Sequence, residues 1–224
     1  MLKYVRWLLA LPCMLGAEPS LGQDGAGHQQ ERQARALLDS LHPVSGDVDI
    51  PGAEAVLHLG RDYYFLPADD ARRVLVEGWG KPPETSVNVR GMVFPAGKTF
   101  LDDTWGAVIT FEATGYVPDE DAASTDYDAL ITELQAGEEA ANAERTRQGY
   151  PAIHLVGWAQ RPTYDKATHS VVWAQDIRFE GSAENTLNYD VRLLGRRGVL
   201  SMNLVTVMSN LPETREAPAR FASA

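Results

Sequence analysis

Between residues 153 and 209 nearly every run is strand-forming: 153–160, 169–180, 186–194 and 199–209 are rich in Val, Ile, Leu, Tyr and Trp. The breaks are short. Gly195-Arg196-Arg197-Gly198 is a tight turn joining the last pair, and residues 161–168 are expected as a loop joining the first pair. Strands joined by hairpins, with no room for a crossover helix, pair antiparallel. This excludes a doubly wound parallel sheet and a helical bundle. It predicts a single α+β domain with a mostly antiparallel β-sheet built from hairpins.

Upstream, helix and strand signals alternate. Ala34, Leu37, Leu38 and Leu41 have helical spacing over 31–41, and Pro43 stops the helix. Short strands are expected at 46–50 and 53–59, followed by the aromatic segment Asp62-Tyr63-Tyr64-Phe65-Leu66-Pro67. The first main helix is predicted at 69–77, where Asp69 and Asp70 suit the positive end of the helix dipole and Gly78 follows. Strands are expected at 89–95 and 105–114; in the second, Trp105, Ala107, Ile109 and Phe111 alternate with Val108 and Thr110. The second main helix, 126–148, presents Tyr127, Leu130, Ile131, Leu134 and Ala141 on one face and ends at Gly149-Tyr150-Pro151. The domain is placed at 31–211, after a linker at 23–30 and before a polar tail at 212–224.

The N-terminus predicts export. Lys3 and Arg6 precede a short apolar run from Trp7 to Ala17, too short to span a bilayer, so residues 1–22 read as a signal peptide cut after Ala17 or Gly22. An uncleaved anchor and lipid attachment at Cys13 are the alternatives; Pro12, where a small residue is expected, argues against the second. Cys13 is the only cysteine, so the mature domain has no disulfide and rests on its core. The net charge is −11, of which the first 22 residues contribute +1, leaving −12 on the mature part. That argues against nucleic acid and against adsorption to anionic lipid by charge alone.

Candidate chemistry is sparse. There is no GxSxG, no HxH or HExxH and no Gly-rich phosphate loop. Asp119, Glu120 and Asp121 form an acidic turn that offers carboxylates to a divalent metal, but Ala123 and Ser124 break the calcium-loop pattern. The same residues suit a helix start, with Thr125 or Asp126 as its cap. His154 and His169 lie in strands expected to pair within reach of each other, without a third ligand. No metal or cofactor is therefore expected.

The aromatic residues Trp79, Trp105, Trp158, Tyr164 and Trp173 sit beside turns or in strands. Trp158 and Trp173 fall on facing arms of one hairpin, where they suit either core packing or an apolar groove. Asn188, Asp190 and Arg192 share one strand face, as a solvated surface or a ligand patch; Leu187, Tyr189, Val191 and Leu193 share the other. Arg196 and Arg197 at the hairpin tip are free to solvate or to grip a phosphate or carboxylate. The binding candidates are thus Trp158, Tyr164, Trp173, Asn188, Arg192 and Arg196.

A set of short motifs resembles a known bacterial family. They include Trp79-Gly80-Lys81-Pro82-Pro83, Gly91-Met92-Val93-Phe94-Pro95, Gly115-Tyr116-Val117 with Asp119-Glu120-Asp121-Ala122, Asn142, Arg145, Gly149-Tyr150, Gly157-Trp158-Ala159, Tyr164-Asp165, Trp173-Ala174, Leu187-Asn188-Tyr189 and Leu194-Gly195-Arg196. Over 41–211 the chain is similar to the predicted membrane-anchored proteins of domain of unknown function 2167. The resemblance implies location and domain bounds, not an activity. It also implies C-terminal hydrophobic helices for membrane association, whereas residues 209–224 here are polar.

The function expected is a non-catalytic binding or interaction module of the bacterial envelope or periplasm, with an envelope protein, peptide or lipid as partner and no nucleic acid. The alternative is a carboxylate-based hydrolase, with a divalent metal at the acidic turn.

Overall fold

The computed structural model describes residues 24–81, 83–117 and 125–221. In chain order the elements are helix α1 (Asp24–Asp39), strands β1 (Asp47–Ile50), β2 (Ala55–His58) and β3 (Tyr63–Pro67), helix α2 (Ala68–Arg73), strands β4 (Val89–Pro95) and β5 (Gly106–Glu112), helices α3 (Tyr127–Ala136) and α4 (Glu138–Arg147), strands β6 (Ile153–Asp165), β7 (Ser170–Phe179), β8 (Thr186–Leu194) and β9 (Val199–Val207), and helix α5 (Leu211–Phe221). β1 and β2 form a small hairpin; the other seven strands form one antiparallel sheet in the order β3-β4-β5-β9-β8-β7-β6. The α+β architecture expected from the hairpin run is the one found.

The chain builds three strands inward from one edge. It then crosses through α3 and α4 to the far edge and returns strand by strand until β9 pairs with β5, Ile109 opposite Met202. The tight turn after β8 closes with Gly195 N–H donating to the Gly198 carbonyl at 2.9 Å. Gly198 is required there: its φ is +157°, and a Cβ would run into the Glu112 carbonyl.

Several expectations change. Residues 24–30, expected as a linker, belong to α1, and the polar stretch after 211 is helical as far as Phe221. Tyr63–Pro67 is an edge strand, not just an aromatic segment. α2 ends at Arg73 and continues as one turn of π-helix, Val74–Gly78. The long helix of 126–148 breaks at Gly137 into α3 and α4, since glycine is a poor helix former. Asp126 is the cap, its Oδ1 accepting from the N–H of Asp128 and Ala129 at 3.1 and 3.0 Å. The loop expected at 161–168 is mostly strand, because β6 is an edge strand whose free side tolerates Pro162.

The two sheet faces are covered differently. On one, Phe65, Val93, Ala107, Ile109, Phe111, Leu187, Tyr189, Met202 and Leu204 form one apolar cluster closed by Ile50 and Leu57 of the small hairpin and by Met208 and Leu211. On the other, two helical covers sit at opposite ends. Leu66, Met92, Phe94 and Val108 pack under Leu37 of α1 and Ala71, Val74 and Leu75 of the α2 region. Val171 and Trp173 pack under Tyr127 and Leu130 of α3. Between these covers the face turns polar.

The outer edge of β6 is partly occupied by side chains. Asn142 of α4 bonds Ile153 twice, accepting from its N–H at 2.8 Å and donating to its carbonyl at 2.7 Å. Glu138 accepts from Leu155 N–H at 2.6 Å, and Gln135 donates to the Leu155 carbonyl at 2.9 Å. Arg145 completes the join, buried, with Nε donating to the Pro151 carbonyl at 2.9 Å and its guanidinium over the Tyr150 ring.

Candidate functional site

Alternation along β8 places Thr186, Asn188, Asp190 and Arg192 on the divided face. Pairing then sets Gln175 of β7 opposite Asn188, Trp173 opposite Asp190, Asn203 of β9 opposite Asp190 and Ser201 opposite Arg192. The expectation of a solvated surface here is corrected: Asn188 and Asp190 are each 2% exposed and Arg192 1%. Tyr127 and Leu130 pack over Trp173, which in turn stacks on Arg192, its ring centre 5.1 Å from the guanidinium carbon.

Part of the row is internally bonded. Asn203 donates to Asn188, which donates to Gln175 at 3.4 Å, and Asn203 also bonds the Asp190 carboxyl. Burial pushes Asp190 up to about 6, against the opposing pull of the Arg192 charge. Burial also lowers Arg192, against the charges of Asp190 and Glu112.

The same face opens toward solvent at the other end of β8. An open cleft of about 350 Å³ is floored by Phe94, Phe179, Val205 and Thr186, walled by Trp79 and Phe100, and rimmed by Asp102, Asp103 and Glu184. Trp79 meets Phe94 edge-on at 6.3 Å, and its Nε1 donates to the Phe100 carbonyl at 3.4 Å. Gly106 permits that approach: a Cβ there would lie 2.7 Å from Phe94 and 2.9 Å from Trp79. The Asp102 carboxylate accepts from Thr99 Oγ1 and N–H, which hold it below the usual carboxylate range. Beside it, burial and then the Asp102 charge push Tyr64 up to about 12. The three rim carboxylates are exposed.

The structure brings together four of the six binding candidates. Trp158, Tyr164 and Trp173 share the cluster under α3, and Arg192 joins through Trp173. Trp158 and Trp173 are not direct cross-strand partners, since bulges in β6 set Trp158 opposite Gln175. Trp158 Nε1 donates to the Tyr127 carbonyl at 3.1 Å, which anchors α3. Asn188 lies on the same face toward the cleft, while Arg196 is exposed at the hairpin tip, apart from the others. Its neighbour Arg197 pairs with Glu54 at 2.6 Å.

His154 and His169 are not neighbours. His154 pairs with Arg178, and His169 lies in the turn at the opposite end of β6. Asp119, Glu120 and Asp121 lie outside the described residues. Among the described residues, no three His, Cys, Asp or Glu side chains gather as a metal site requires, and no helix is long and apolar enough to cross a membrane.

Sequence reasoning singled out Trp79 but missed the rest of the cleft. Apart from Trp79, its wall and rim come from the β4–β5 and β7–β8 connections, distant in sequence; the adjacent Asp102 and Asp103 were the one local signal. No curated protein and no solved structure matches the chain. A family model described as protein of unknown function (DUF2167) matches residues 42–224, which include α2, α3, the polar row and the cleft but not α1, and the chain belongs to that family.

Proposed function

We propose that this is an exported binding module of the bacterial envelope, and that the open cleft receives a peptide segment of a partner protein. The observation that carries this is an aromatic floor and wall with an acidic rim: Trp79, Phe94, Phe100 and Phe179 under Asp102, Asp103 and Glu184. Half-buried Trp79, backed by the buried rings of Phe94, Phe100 and Phe179, supplies an apolar contact, and exposed carboxylates select a segment with basic or hydrogen-bond-donating side chains. The same charge opposes an anionic lipid headgroup, as does the overall acidity. A cleft built for acid–base chemistry needs convergent carboxylates withdrawn from water, whereas these three are exposed.

A photo-reactive side chain placed at Ala183, on the cleft rim, tests the reading in cells. It should crosslink to a defined envelope protein. The crosslink should disappear when Asp103→Lys and Glu184→Arg reverse the rim charge at unchanged melting temperature. A probe at exposed Val156, on the outer edge, should give no such product. Capture of lipid alone from Ala183, or equal capture from both positions, refutes the peptide reading. Export is checked separately by N-terminal sequencing, expected to start at residue 18 or 23; a chain that retains Met1 in the cytosol contradicts it.

A further inference from the structure

The polar row beneath Trp173 contains donors with nothing to donate to. Arg192 Nε and Nη2, Trp173 Nε1 and Ser201 Oγ are buried without a hydrogen-bond partner among the described residues, and so is the acceptor Asp190 Oδ1. Register puts them side by side on one face, Trp173 opposite Asp190 and Ser201 opposite Arg192. Buried polar groups in folded proteins are almost always bonded, so a cluster of unmet ones marks a place where something else supplies the partners. The imbalance indicates what: three N–H donors and a hydroxyl face a single unmet acceptor.

Arg192 is also pre-oriented. Its guanidinium carbon is held 5.1 Å over the Trp173 ring, and Nε and Nη2 are the two donors of one guanidinium edge. That edge matches two oxygens on one carbon or phosphorus. The acidic groups facing it are Asp190 and Glu112; burial pushes Asp190 upward, which weakens its hold on the Arg192 charge.

We propose that Arg192, with Ser201 beside it, forms a buried site for a small carboxylate-bearing molecule. The carboxylate accepts from Nε and Nη2 together and from the Ser201 hydroxyl. The site is separate from the cleft: Arg192 lies six residue steps along β8 from Thr186, about 20 Å at the rise of a strand. It stands or falls independently of peptide binding there. Because Arg192 is 1% exposed, an opening step precedes entry and exchange is slow.

The test follows the Arg192 side-chain Nε–H by NMR while the whole chain is titrated with acetate, and separately with inorganic phosphate, at constant ionic strength set with chloride. Expected is a saturable, slowly exchanging shift with acetate and none with chloride. Arg192→Lys keeps the charge but lacks the two-donor edge. It should weaken acetate at least tenfold, read by the acetate dependence of its melting temperature. If that variant does not fold, Ser201→Ala takes its place and should weaken acetate several-fold. Absence of a saturable response, undiminished acetate binding in the variant, or saturation by phosphate but not acetate would each overturn the proposal. A high-resolution crystal structure grown in acetate that shows only water against Nε and Nη2 would do so as well.

Discussion

The two faces of the same seven-stranded sheet solve burial in opposite ways. One is apolar from Phe65 on the β3 side to Ala174 on the β7 side, and the β1–β2 hairpin and the residues around Leu211 close it. The other is apolar only at its two ends, and in between it buries Asn188, Asp190, Arg192 and Ser201. Apolar burial is non-directional and gains with area, so the first face needs only volume matching. Buried polar groups carry a desolvation cost unless each partner is in place, so the second face is a poor choice for stability alone. A sheet that could have been apolar on both sides has kept a polar interior on one. The contrast separates a face packed for stability throughout from a face that is packed at its two ends and carries the proposed binding sites.

The largest test of that contrast lies on the dry face. Ile109 is fully buried in the middle of β5. Ile109→Ala should cost about 2–5 kcal/mol, measured by urea unfolding, through lost transfer energy and the cavity left behind. A loss under about 1 kcal/mol would mean that this face is loosely packed, and the comparison would fail.

The next effect belongs to the divided face and has a pH signature. Unfolded, the Asp190 carboxyl titrates near 3.8; folded, near 6. The folded chain therefore holds this proton more tightly. The contribution costs nothing below pH 3.8, grows unfavourable as pH rises through 6, and is constant above, amounting to about 3 kcal/mol. Denaturant titrations at pH 4 and pH 8 should show most of that loss in the native chain, since part of it has already occurred at pH 4, and Asp190→Asn should remove it. An unchanged profile in the variant would mean that the carboxyl is already solvated and that the two faces differ less than their burial suggests.

The smallest effect concerns the cover over that face. α3 begins at the Asp126 cap, and Asp126→Ala should cost about 1 kcal/mol of global stability. Hydrogen exchange sharpens the reading. Amides of α3 should lose more protection than those of β5, because the cap holds a helix that covers one end of one face.

Strand content was readable because period-two alternation survives in a sheet whose faces are both packed: Trp105, Ala107, Ile109 and Phe111 are all buried as their spacing implies. What escaped was local evidence overruled by the neighbours. Pro162 reads as a loop residue until β6 is known to be an edge. Asn188, Asp190 and Arg192 read equally as a solvated face or a ligand patch until a tryptophan from the neighbouring strand is laid over the guanidinium. The cleft was the least legible feature, since Phe100, Phe179 and Glu184 meet only through the sheet order, which places β5 beside β9 rather than beside the next strand in sequence.

The side chains along the outer edge of β6 bear on how the molecule behaves at high local concentration. An uncovered strand edge is a template on which further copies can stack. Here the template is blunted from two neighbouring helices: the Asn142 carboxamide of α4 imitates a peptide group and occupies both bonding positions of Ile153, while Glu138 of α4 and Gln135 of α3 take those of Leu155. Resistance to polymerisation is therefore conditional. It lasts only while the end of α3 and α4 stay docked, so anything that peels these helices away also uncovers the start of a growing ribbon.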